Sequence, residues 1–141
     1  MIARATIRRP LLLLFVVSAV HCLYAQDSGR PQARKLDEIR PGMYRGDIDL
    51  RLIHFSEEVG KEEPGAKVYL VGYHGGRRRL PKVFSPVSVK TWLMEAGGLA
   101  GDRIVTLEGG RREFPVLELW LVPEGAPPPE PVASPGRRKP R

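Results

Sequence analysis

Cysteine is almost missing from this chain. Its single copy among 141 residues is Cys22, inside a leader-like stretch, so a chain cut after Ala25 has no disulfide, no thiol nucleophile and no thiolate metal ligand. Histidine is scarce as well, with three copies. The two beyond that cut, His54 and His74, lack carboxylate or histidine partners at ligand spacing, so no metal and no cofactor is expected. No apolar run reaches the roughly 20 residues that cross a bilayer as a helix. A basic excess is lacking where it would matter: the formal charge is +7, yet residues 37–123 hold 13 basic and 13 acidic side chains. The surplus sits at the two ends, and a neutral globular part is not built to grip phosphate backbones, so no nucleic-acid partner is expected.

The amino-terminal stretch explains its own composition. Arg4, Arg8 and Arg9 precede the apolar run Leu11 to Val20, and Ala25 offers a small residue before Gln26; residues 1–25 read as a secretory signal peptide. The rival reading is an uncleaved anchor, for which the run is short. With cleavage no transmembrane span remains, and the protein is expected in the periplasm or secreted. Residues 26–36, "QDSGRPQARKL", mix Gly, Pro and charge without apolar period and read as a flexible linker. Seven of the 14 prolines fall from Pro123 onward, so residues 124–141 read as a disordered, proline-rich tail that favours polyproline II.

Residues 37–123 are left for one domain. Ile48, Leu52, Phe55 and Val59, four, three and four residues apart, make one stripe of a helix capped by Asp47 or Asp49 and ended at Gly60 or in "EEPG". "AKVYLVGY" reads as a buried strand from Lys67 to Tyr73. Ser85 and Pro86 open a second helix with Val89, Trp92, Leu93 and Ala96 inward and Gly97 as its left-handed stop. Arg103 to Leu107 reads as a strand. "FPVLELWLVP" supplies another, with Leu117, Leu119 and Leu121 on one face and Glu118 and Trp120 on the other. The order is helix, strand, helix, strand, strand. A helix between the first two strands makes them parallel neighbours, and the short "EGGRRE" predicts a hairpin to the last. The fold class expected is α+β, a small mixed sheet with helices packed on one face.

Several phrases resemble the C-terminal domain of outer-membrane protein A-like (OmpA-like) cell-wall-binding proteins over roughly residues 50–122: "YLVGYHG" at a strand end, "VKTWLMEAGGLAGDRIVTLEGG" across a helix, link and strand, and "ELWLV" as the final strand. The resemblance implies a βαβαββ-type fold, location in the cell envelope and a peptidoglycan ligand. In that family an aspartate and an arginine hold the diaminopimelate of peptidoglycan. By register Gly75 and Ser85 stand at those positions, so the pair is absent here, and neither residue can replace it.

Two phrases are this chain's own. "GGRRR" at Gly75 to Arg79 and "GGRRE" at Gly109 to Glu113 both follow strands expected to be parallel, so their loops should emerge at one edge of the sheet. There Arg77, Arg78, Arg79, Arg111 and Arg112, with Lys82 and the helix start at Ser85, can cradle a carboxylate or phosphate. The alternative is ordinary turn chemistry with solvated charges. His74 is the residue placed for acid–base work, but no nucleophile motif accompanies it, and no enzyme is expected. The function expected is an exported, non-enzymatic envelope-binding module for peptidoglycan or an acidic glycan. The other reading is a structural domain that meets a protein partner through its sheet edge or its proline-rich tail.

Overall fold

The computed structural model describes residues 30–75 and 81–133. The leader, Arg77, Arg78 and Arg79, and the tail from residue 134 lie outside the described residues. Six main elements follow one another: β1 (Arg34–Ile39), α1 (Arg45–Gly60), β2 (Lys67–Gly75), α2 (Pro86–Glu95), β3 (Ile104–Arg112) and β4 (Val116–Val122). The fold is α+β. The helix, strand, helix, strand, strand order is present, with β1 ahead of it.

The four strands form one mixed sheet in the order β1-β4-β2-β3. β2 runs parallel to β3, while β4 lies antiparallel to both β1 and β2. Both helices contribute to one core on one face. Ile48, Leu52, Phe55 and Val59 of α1 and Val89 and Leu93 of α2 meet Val68, Leu70, Leu117, Leu119 and Leu121 of the sheet. Burying each such side chain stabilises the fold by about 1.5–3 kcal/mol, which is the main reason the elements hold together. Trp92 is only partly buried against this core and Ala96 is exposed, so the inward stripe of α2 is narrower than its spacing suggests.

Four expectations need correction. β1 begins at Arg34, inside the segment read as linker: the six residues "RKLDEI" have no apolar alternation of their own, and pairing with β4 from Arg34 opposite Leu121 to Ile39 opposite Leu117 makes them a strand. The β3–β4 link is not a hairpin. β4 lies on the far side of β2 from β3, so the link steps across the end of β2, where a side chain on Gly75 would collide with Pro115 and the backbone of Phe114. α1 starts at Arg45 behind Tyr44 with no side-chain cap, leaving Asp47 in the first turn, where a carboxylate favours the helix dipole. At the end of α2 the left-handed residue is Gly98, φ +67°, not Gly97. Gly97 is small for another reason, because a Cβ there would press on Ser56 of α1 and on Leu93.

The segment read as a disordered tail also has placed residues. Glu124 to Ala133 leave β4 through a turn at Gly125, φ +79°, and Pro129 is buried.

Candidate functional site

The parallel pairing of β2 with β3 places His74 opposite Arg111 and Gly75 opposite Arg112. One residue is extra. Gly72 pairs with Glu108 and Tyr73 with Gly110, so Gly109 is a bulge, and a Cβ on it would drive into the Tyr73 ring. "GGRR" is therefore the end of β3 and not a loop, because the strand continues to Arg112 through this bulge and the left-handed Gly110, φ +85°. The turn itself is confined to Glu113–Pro115.

Alternation along the two strands then separates what the sequence brings together. Arg111 shares the helix-covered side with His74. Arg112 points to the opposite side, where its guanidinium lies 3.5 Å from the Tyr73 ring centroid and its Nη1 donates to Glu118 at 2.8 Å. The expected cluster of Arg111 and Arg112 is thus split between two faces, and Arg112 is committed to internal contacts.

On the helix-covered side a cleft of about 270 Å3 opens between the carboxyl ends of β2 and β3 and the start of α2. Gly72 lines it because α2 packs directly there: a Cβ on Gly72 would stand 2.6 Å from Pro86 Cγ. Polar groups at the rim are Lys82, Thr106 and the pair His74 and Glu108, with Nε2 and Oε2 3.0 Å apart. Ser85 reaches the cleft but is engaged as the cap of α2. Its Oγ accepts from the Ser88 amide at 3.1 Å and lies 2.9 Å from Ser88 Oγ, which donates to the Lys82 carbonyl at 2.6 Å. Pro86 has no N–H, and the Val89 amide is taken by the Ser85 carbonyl, so the helix start offers fewer amides than its position implies. The walls of the cleft are largely apolar, with Pro86 and Val87 between the polar groups and the Leu107 backbone behind them. His54, by contrast, sits exposed on α1, 3.4 Å from Glu57 of the same helix, away from the cleft.

The helix-free face carries a polar cluster that sequence reasoning did not assemble. Glu118 is 3% exposed. Arg112 donates to its Oε1, Trp120 Nε1 to its Oε2 at 3.0 Å and the Tyr73 hydroxyl to the same oxygen at 3.3 Å, while Lys35 Nζ lies 3.6 Å from Oε1. Burial alone would push the Glu118 carboxyl up. Hydrogen bonds from Arg112 and Trp120 and the charges of Arg112 and Lys35 outweigh it, and the group sits below the usual carboxylate range. Burial and the Glu118 charge push the Tyr73 phenol up. Among the described residues no buried side-chain polar atom lacks a partner. The one signal in the sequence was a glutamate between leucines in "LELWL".

Set beside known proteins, the chain matches no family model, no curated protein and no solved structure. Its chemistry has to be argued from these two faces. Among the described residues no helix is long and apolar enough to cross a membrane.

Proposed function

We propose that this chain is an exported, non-enzymatic binding module of the cell envelope, which takes an acidic component such as a peptidoglycan carboxylate or an acidic glycan in the cleft beside α2. The observation that carries the reading is the cleft's position and lining. It opens at the carboxyl ends of two parallel strands, a usual place for ligands in such sheets, with apolar walls and Lys82 and His74 at the rim. Arg111 lies in register with His74 on the same side. Ser85 supports the site by fixing the start of α2 and not by touching the ligand. The His74–Glu108 pair orients the imidazole for hydrogen bonding, and its exposure, 51% and 73% of each side chain, suits a binding rim better than a water-excluded reaction site. The leader and the resemblance to OmpA-like domains favour the envelope.

The test is retention of the full chain on purified peptidoglycan. Lys82→Ala combined with Arg111→Ala should lower retention at least about ten-fold, as expected for losing two charge-assisted contacts, and His74→Ala alone should lower it less. Equal retention of wild type and the double variant, with both folded, would refute the cleft as the site. A second reading, a protein-interaction domain, is favoured by the proline-rich segment laid against the other face.

A further inference from the structure

A sheet covered by helices on one face usually turns a polar surface to water on the other. This one does not. Its helix-free face carries Val71, Tyr73, Val116, Leu107 and Trp120, packed together around the Glu118 cluster. A contiguous apolar and aromatic face of that kind marks an interaction surface. Here part of it is covered by the chain's own proline-rich segment. After β4 the chain turns at Gly125, with the Ala126 amide donating to the Pro123 carbonyl at 3.1 Å. It then runs without helix or strand through Pro127, Pro128, Pro129 and Pro131. Arg112 Nε donates to the Val132 carbonyl at 3.2 Å, and the Val132 backbone N–H faces the Tyr73 hydroxyl.

A guanidinium stacked on an aromatic ring and donating to a main-chain carbonyl is chemistry by which extended proline-rich chains are read, and Arg112 on Tyr73 does this to Val132. The occupant is nevertheless lightly held. Of Glu124 to Ala133 only Pro129 is buried, and Val132 is 68% exposed. The receptor does not depend on it. Every donor to Glu118 comes from β1, β2, β3 or β4, so Arg112, Tyr73 and Trp120 stay fixed when the segment leaves. We infer that the helix-free face is a receptor for an extended, proline-rich segment of a partner protein, and that residues 126–133 are a built-in occupant that such a segment displaces. The inference stands independently of the cleft.

The experiment uses the full chain and a labelled ten-residue peptide with the sequence of Glu124 to Ala133. In wild type the tethered segment competes at millimolar effective concentration, so the peptide binds weakly. In the full-length Pro129→Asp variant the buried proline is replaced by a charge and the tether lets go. Peptide affinity should rise about ten-fold or more, and the Trp120 indole N–H resonance should shift on binding while that of Trp92 stays in place. The milder pair Pro128→Gly and Pro129→Gly gives the same comparison if the aspartate variant proves insoluble. Equal affinity for wild type and variant, or no binding to either variant with the Trp120 resonance at its native position, overturns the inference. So does a Trp120 shift that follows protein concentration alone, which would give the face to a second copy.

Discussion

The two faces of this sheet solve burial by different physics. The helix-covered face is closed by apolar side chains from α1 and α2 and, among the described residues, contains no buried charge. After β4 the described chain adds eleven residues without helix or strand, Pro123 to Ala133, and the helix-free face places a carboxylate among aromatic rings, bonded to donors from three strands. The first arrangement tolerates exchange of one hydrocarbon for another of similar volume. The second tolerates no single loss, because each member satisfies another.

Single substitutions sharpen that contrast. Leu119→Ala on the covered face, where the side chain is fully buried, should cost about 4 kcal/mol, measured by urea unfolding. Arg112→Met should cost about 3 kcal/mol by leaving the Glu118 charge poorly compensated. The double variant Arg112→Met with Glu118→Leu should recover most of that loss, an outcome that no pair on the covered face would reproduce. Strict additivity of the two single changes would break the comparison.

Acid is the next probe. The Glu118 carboxyl is held below its unfolded value of about 4.3, so the unfolded chain takes up protons first as pH falls. The stability Glu118 contributes is therefore fully present above about pH 4.5 and lost below it, through its folded pKa. Glu38 on β1 acts in the same direction: burial would raise it, but hydrogen bonds from Lys35 and Arg40 hold it down. Unfolding midpoints measured from pH 6 to pH 3 should fall less steeply in the double variant than in wild type. Ser85→Ala comes next, at about 1 kcal/mol for a lost cap. The smallest effect is that of Pro129→Asp, within about 0.5 kcal/mol if the tail segment is an occupant and not a structural strut.

How much of this was legible in the sequence follows from how local each signal is. The spacing of Ile48, Leu52, Phe55 and Val59 is a property of one turn after another of a single helix, and it located α1. Alternation of Leu117, Leu119 and Leu121 against Glu118 and Trp120 likewise identified the two faces of β4. β1 was hidden because Arg34 and Asp37 carry charges whose partners, Glu62 and Arg51, come from elsewhere in the chain, while Lys35 and Glu38 pair with each other and reach out to Glu118 and Arg40. The seat of β4 between β1 and β2 was hidden for a related reason: a short link normally means a hairpin, and only the missing side chain at Gly75 lets this one step over a neighbouring strand. The arginine rim was half legible. Parallel strands do bring the two glycine-arginine phrases to one end of the sheet, but the bulge at Gly109 decides which face each arginine takes, and a single extra residue reverses that assignment.

The position of β4 in the sheet has a consequence in time. Among the described strands β1 is bonded to β4 alone, so the segment that emerges early from the ribosome waits, edge unsatisfied, until residue 122 has been made. Contacts so distant in sequence make for slow closure, and until then the half-made chain is open, extended and available to whatever machinery handles nascent polypeptides.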